Sequence, residues 1–509
     1  MDLINLKIPK KIIVFICFTF LSFLLRFWSF FDSVIDHDES LYFLIAQSFL
    51  NGIPPYVEIW DNKPPGIFIL FSLAILIFGD SITSIRILAC LSVAVTSYFL
   101  YEIAKLIGNN NEKIGLIAGI LYLVFSLSNN GVAANAEILF APLVTLAFYL
   151  LFKNTKYGYY KYFVIGLLLG LAMQIKYVVI MDFIAFLVIV IPRLFFRRNK
   201  DNNSIIALIK IYTFVTLGFI VPFLFTAIYF ITVGYFDEYF YATFISNTRY
   251  VDATKFSLIN LLSAILNQIY TNFPLYLCLF ISFIYIKSSK KISLKDKMNL
   301  CSLIYWFSST FVATLISKRF IGHYYLQLLP PLCLISSYII VQTVTKQAIK
   351  NKRNLFLIIM SVLIFLITLY PHLQKNTELV VNQYIKQQNY LDDKEVLIAN
   401  YIKSKISPNN YIYIANYQPI IYYLVRAKIP TKYVFTSHLI SYYSVITGIN
   451  PLQELTSIMD KKPVYVLFDE ERGIDNNEYK IALNEYLKKD YLLEKTIENV
   501  KLYRIKNPN

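Results

Sequence analysis

Apolar residues in this chain run in long unbroken blocks, unlike the alternating or one-face patterns of a water-soluble domain. Blocks of roughly 15–25 residues, the length a helix needs to cross a ~30 Å hydrocarbon core, recur along most of the sequence. They fall at 12–31, 84–107, 113–128, 137–152, 162–179, 180–196, 206–233, 258–286, 299–317, 324–345 and 354–371, which predicts about eleven transmembrane helices. One further block, 66–79, has 14 residues; as a helix it spans only about 21 Å, so it reads as interfacial or re-entrant. After His372 the blocks stop, and Asp, Glu, Lys and Asn rise. Short strand-like runs at Tyr411–Ala415, Val464–Phe468 and Lys501–Ile505 are separated there by helix-like stretches near 392–405, 418–427 and 478–490. That alternation predicts a small α/β domain. The expected division is a membrane domain, 1–371, with a polar loop at 32–83, and a soluble domain, 372–509.

Composition agrees with a polytopic membrane protein. Of 509 residues 57% are hydrophobic and 16% charged, against about 25% charged in ordinary soluble domains. The net charge of +16 is concentrated in short loops: Lys7/Lys10/Lys11, Arg193/Arg197/Arg198/Lys200, Lys287/Lys290/Lys291/Lys295/Lys297 and Lys346/Lys350/Lys352/Arg353. Such placement marks cytoplasmic loops and argues against a nucleic-acid partner. If 66–79 crossed the membrane, every later loop would change side and the basic loops would face outward. With 66–79 left on the outer side, Asn129–Glu137, Lys176, Gly234–Ser257, Lys318–His323 and the C-terminal domain face the same side as the first loop. The block 12–31 lacks a small-residue cleavage site and reads as a retained helix. All five cysteines lie in or at the ends of apolar blocks, so neither a disulfide framework nor a thiolate metal site is implied. Walker and GxGxxG loops are absent from the sequence, which argues against a nucleotide-driven pump.

The chemistry concentrates in the first loop, DHDESLYFLIAQSFLNGIPPYVEIWDNKPPG, residues 36–66. Acids and a lysine at a hydrocarbon boundary are costly to place, so a functional site is the default reading. Asp38-Glu39 after a first membrane helix, followed by Tyr42 and Lys63-Pro64-Pro65-Gly66, resembles the first external loop of polyprenyl-phosphate-sugar-dependent glycosyltransferases. These are C-superfamily membrane enzymes related to protein O-mannosyltransferases and lipid A aminoarabinose transferases. The resemblance covers mainly 12–180 and 300–345. It implies a C-type glycosyltransferase in the plasma or inner membrane of a prokaryote, with its site on the extracytoplasmic side. A sugar would move from a polyprenyl-phosphate carrier to a lipid, glycan or protein hydroxyl. Here Asn62, not an acid, precedes the lysine, with Asp61 or Glu58 as substitutes.

Transfer requires a carboxylate to take the acceptor proton, and Asp38 is the candidate base. Cations must face the leaving phosphate, and Lys63, Lys176, Arg319 and His323 are the candidates. Other readings stand beside these. Glu39 is either a catalytic partner or a charge serving the start of the next helix. Glu137, which faces the first-loop acid across the site in the family, also suits a helix N-terminus. Lys176 and His323 suit an interfacial position, though Tyr324-Tyr325 and Pro330-Pro331 beside His323 resemble the family's second motif. Snorkelling is the preferred account of Arg26 and Arg86, and an interfacial aromatic belt that of Tyr235–Tyr250. The family divides over divalent metal and Asp36, His37, Asp38 and Glu39 are ligand types, so no cofactor is assigned and metal stays open. The rivals are a polymerase or ligase using lipid diphosphate-linked oligosaccharide, which is expected to carry its key residues in later loops, and a transporter or flippase, whose charges belong mid-helix.

Overall fold

The computed structural model describes residues 9–153, 158–197, 202–288, 292–343, 352–385, 393–441 and 444–506. Of the basic-loop residues, Lys7, Arg198, Lys200, Lys290, Lys291, Lys346 and Lys350 lie outside this set, as does residue 392 at the start of an expected helix. The chain folds as two compact units. One comprises Met1–Ser29, Arg86–Thr226 and Ser257–Glu378, the other Phe30–Ile85, Ala227–Phe256 and Leu379–Asn509.

The first unit is helical. Among the described residues six helices are long and apolar enough to cross a membrane: Lys10–Phe30, Ile82–Ile107, Tyr177–Phe195, Ser204–Thr232, Leu294–Ile316 and Gly322–Thr343. A seventh candidate is the pair Leu258–Thr271 and Phe273–Lys287, bent by 95°. The unbroken apolar block at 258–286 hides that bend. Pro274 lacks an N–H to continue the Leu258–Thr271 helix and its ring opposes the carbonyl four residues back, so the chain turns at Asn272 and restarts at Phe273. The expected spans at 113–128, 137–152 and 162–179 are helices at Glu112–Phe125, Ala136–Phe152 and Tyr160–Met173, of 14, 17 and 14 residues. These reach about 21–26 Å, less than a full core.

Small residues draw backbones together here. A Cβ on Gly166 would lie 1.9 Å from the Val215 carbonyl oxygen, and one on Gly218 2.1 Å from that of Phe163. Only glycine permits this approach. On the same helix as Gly218, Ile209, Leu217, Phe225 and Ile228 are exposed, as lipid-facing positions require. Trp306 stacks on Phe148 at 3.7 Å and donates its indole N–H to Asp182 at 2.7 Å, which satisfies a buried carboxylate oxygen.

The second unit contains a four-stranded sheet: β1 (Ile412–Ile414), β2 (Tyr465–Asp469), β3 (Tyr491–Ile497) and β4 (Val500–Ile505), in order β1-β2-β4-β3. β1 runs parallel to β2; the other pairings are antiparallel, with Val466 opposite Tyr503. Helices Lys394–Lys403, Ile420–Val425, Pro451–Asp460 and Asn477–Asp490 complete the α/β layers. β3 is the strand that sequence reading missed, because it begins directly at the end of the helix Asn477–Asp490 with no turn residue between them.

The first loop belongs to this unit. Ser33 donates its N–H and hydroxyl to the Asp393 carboxylate at 2.6 and 3.0 Å, and the Trp60 N–H donates to the Lys432 carbonyl at 2.8 Å. The Trp60 ring meets His438 edge-on at 4.8 Å, and Phe43 meets Tyr423 at 4.9 Å. The expected boundary at 371/372 marks where long apolar blocks end; the compact unit also takes in 30–85 and 227–256.

Candidate active site

The acidic run Asp36-His37-Asp38-Glu39 starts the helix His37–Leu50 with a capping box. Asp36 accepts from the Asp38 N–H at 3.1 Å, while Glu39 Oε1 accepts from the Ile35 and Asp36 N–H groups at 2.7 and 3.3 Å. Three backbone N–H groups at the helix start are thereby satisfied. Glu39 is buried and its carboxylate serves the cap, the second of its two sequence readings. The four side chains diverge: Asp36 and Glu39 to the cap, His37 to Arg472, Asp38 to Tyr42. Among the described residues no three His, Cys, Asp or Glu side chains converge as a metal-ligand group.

Asp38 lies in the helix's first turn, where the backbone N–H groups favour negative charge, and its Oδ2 accepts the Tyr42 hydroxyl at 3.0 Å. Burial and the neighbouring Asp38 hold the Tyr42 hydroxyl well above the usual phenol range. Asp61 is the residue that sequence reasoning quoted but did not select. It is 3% exposed, one oxygen accepts the Asn62 N–H at 2.7 Å, and Oδ2 has no hydrogen-bond partner among the described residues. Burial, followed by the like charge of Asp38, pushes its pKa up to about 6 against the pull of Lys63. Asp38, Asp61 and Lys63 thus share one electrostatic neighbourhood. Glu58, the other suggested substitute, is occupied by the Ser48 hydroxyl at 2.5 Å.

The turn carrying Lys63 is held from within its own unit. Tyr56, fully buried with φ +76°, donates its hydroxyl to the Lys63 carbonyl at 2.8 Å. A bulky residue in the left-handed region persists only where surroundings fix it. Tyr56 is fixed by Phe68, Phe230 and Tyr239, with Phe230 and Tyr239 stacked at 4.6 Å. Asn247 donates to the Asn62 carbonyl at 2.7 Å. The aromatic segment read as a membrane belt therefore supplies braces for the first loop.

The remaining candidates lie in the helical unit. Lys176, at an extended break between Tyr160–Met173 and Ile180–Arg197, pairs with Glu137 at the start of Ala136–Phe152. Both are buried, and the Lys176 ammonium lies 4.0 Å from the centre of the Tyr324 ring. His323 is buried with its ring 4.9 Å from that of Tyr324. The structure thus brings Glu137, Lys176, Tyr324 and His323 together. Arg319 sits on the preceding loop between Lys318 and Phe320, both at positive φ, +56° and +54°. Arg26 and Arg86 do not snorkel: both are 0% exposed. Arg26 donates to the Ser126 hydroxyl at 2.8 Å and Arg86 to the Ser29 carbonyl at 3.0 Å, because helix packing closes over both guanidinium groups.

Residues 62–233 match the family model described as Dolichyl-phosphate-mannose-protein mannosyltransferase. None of the curated proteins compared matches the chain in sequence. Among solved structures, ArnT from Cupriavidus metallidurans bound to undecaprenyl phosphate superposes with a TM-score of 0.57 at 12% identity, covering 96% of this chain and 97% of that one. Its apo state gives 0.58 at 13% identity over the same shares. The archaeal oligosaccharyltransferase AglB from Archaeoglobus fulgidus, in complex with an inhibitory peptide and a dolichol-phosphate, gives 0.51 at 13% identity, covering 98% of this chain and 74% of that one. The family-model match begins at Asn62, inside the first loop from which the resemblance was read, and the solved structures of ArnT and AglB share the fold of this chain.

Proposed function

We propose that this chain is an integral-membrane glycosyltransferase that moves a sugar from a polyprenyl-phosphate carrier to an acceptor hydroxyl on the outer face of the membrane. The observation that carries the reading is the first-loop cluster, in which a helix-terminal Asp38 shares its surroundings with the buried Asp61 and with Lys63. In the transfer, the acceptor oxygen forms a bond to the anomeric carbon as the bond from that carbon to the phosphate oxygen breaks. The acceptor proton passes to Asp38, and the electron pair leaves with the phosphate. Asp38 suits a general base because it is a carboxylate at a helix N-terminus, held in place by the Tyr42 hydroxyl. Lys63 presents a fixed positive charge to the departing phosphate. Lys176, Arg319 and His323 are assigned to phosphate binding and Glu137 to orienting Lys176, each open to test by its own substitution. Basic loops on the opposite side support the outward assignment.

The test is direct. Purified protein in liposomes is offered radiolabelled polyprenyl-phosphate-linked sugars with an envelope lipid and glycan extract, and envelope glycans of a deletion strain and its complement are compared by mass spectrometry. The reading expects label to move from carrier to acceptor and one sugar to vanish from the deletion strain. Movement of intact carrier lipid across the bilayer without sugar transfer would favour a flippase and overturn it.

A further inference from the structure

Beside the first loop, wholly within the unit that carries the sheet, lies a cavity of about 170 Å³ whose walls include His37, Asn416, Tyr417, Phe435, Ser437 and Arg472. We infer that it is a saccharide subsite taking one uncharged pyranose ring. The identification of the sugar as substrate rests on the transferase reading; the binding itself does not.

The lining is braced before any ligand arrives. Arg472 Nη1 donates to His37 Nε2 at 2.5 Å and its Nε lies 3.3 Å from Asp469 Oδ2. The Asn416 amide donates to the carbonyls of Asp469 and Arg472, both at 2.7 Å, while its oxygen accepts the Asp469 N–H at 2.7 Å. A pocket so fixed loses little freedom on binding. Charge decides the ligand class. Asp469 balances Arg472, and burial together with Arg472 pushes the pKa of His37 down to about 4, so the imidazole is neutral at ordinary pH. Accepting at Nε2 leaves its proton on Nδ1. A phosphate or carboxylate would meet no net positive charge, whereas a hydroxyl-bearing neutral ring meets the remaining acceptor capacity of the Asn416 oxygen, the Ser437 hydroxyl and the His37 imidazole. Two aromatic side chains, Tyr417 and Phe435, offer apolar surface for the C–H face of such a ring. Convergent polar groups on partly aromatic walls are the marks of a small-ligand site. His37 directly precedes Asp38 on the helix, and the Asp38 charge is felt at its imidazole.

The experiment uses full-length protein in detergent, saturation-transfer NMR with a panel of methyl pyranosides of mannose, glucose and galactose, and phosphorus-NMR line broadening with inorganic phosphate. Undecaprenyl phosphate binding serves as the control for fold and carrier site. At least one pyranoside should bind, and Ser437→Phe, which fills the cavity, and Phe435→Ala, which removes an aromatic wall, should each weaken it by about tenfold or more with undecaprenyl phosphate binding retained. Displacement of the methyl glycoside by a polyprenyl-phosphate-linked sugar identifies the donor's sugar as the occupant; persistence identifies the acceptor's. No pyranoside binding in wild type, binding unaffected by Ser437→Phe, or phosphate binding in place of sugar overturns the inference. Failure of wild-type protein to bind undecaprenyl phosphate while binding a pyranoside would count against the carrier reading and not against the subsite.

Discussion

Tyr42 donates its hydroxyl to Asp38 Oδ2 across 3.0 Å, one helical turn along from it. The bond fixes the orientation of the carboxylate, so Tyr42 is a positioning residue for the proposed base. Asp38→Asn should lower turnover by about 10²–10⁴-fold with little change in carrier binding. Tyr42→Phe should leave a working base that is less firmly positioned, lowering turnover by less than Asp38→Asn does. Wild-type turnover in Asp38→Asn would remove Asp38 from the chemistry.

Asp61 gives a stability prediction with a defined sign. Its folded pKa of about 6 lies above the ordinary 3.8, so between those values the folded chain binds more protons than the unfolded one, and stability falls as pH rises through the window. Above it the cost levels off at about 3 kcal/mol. Asp61→Asn should therefore raise the thermal midpoint relative to wild type at pH 8 and change it little at pH 4. An equal difference at both pH values would contradict the assignment.

Lys63→Met should depress turnover and weaken carrier binding, and Lys63→Arg should retain part of both, since a phosphate needs a fixed cation. Binding titrations with undecaprenyl phosphate and single-turnover rates separate the two effects. Wild-type values in Lys63→Met would reduce the lysine to an interfacial anchor.

The buried Glu137–Lys176 pair is suited to a double-mutant cycle. Removing one partner leaves an uncompensated buried charge, so Glu137→Gln or Lys176→Met alone should destabilise by about 3 kcal/mol. The double substitution should cost less than the two singles summed. Simple additivity in denaturation midpoints would show that the pair is not coupled.

Sidedness is testable with a membrane-impermeant thiol reagent. In a cysteine-free background, cysteines at Asn51 and Lys480, exposed positions of one compact unit, should be labelled from outside intact cells, while one at Asn110 should not. Labelling at Asn110 from outside would reverse the parity argument.

The first-loop cluster stood out in the sequence because acids at a membrane boundary are costly and the motif around Lys63 is compact. Asp38 and Lys63 could be proposed on those grounds. Asp61 could not, since its importance comes from burial and from its nearness to Asp38, and neither is a property of sequence spacing. Glu39 was ambiguous for a physical reason: an acid three residues after an N-cap is what a capping box requires. The bend at Asn272 had a written signal, Pro274, which the apolar continuity of 258–286 outweighed. Arg26 and Arg86 sit at block ends, where exposure to the interface is the default; only the packing of neighbouring helices reveals that both are enclosed. The bond from Ser33 to Asp393 joins residues 360 positions apart, and no local pattern encodes it.

The enclosure of Trp60 between the Lys432 backbone and His438 bears on how this chain can be cut or recombined. A truncation that ended the protein near residue 380 would strip the partners of Ser33, Phe43 and Trp60 at one stroke, leaving the first loop with exposed aromatic rings and an unanchored entry. Swapping the C-terminal portion alone for that of a relative would have the same effect. The segment that can be exchanged is discontinuous: residues 30–85 have to travel with the sheet they rest on, so a recombination that replaces the sheet must carry both pieces.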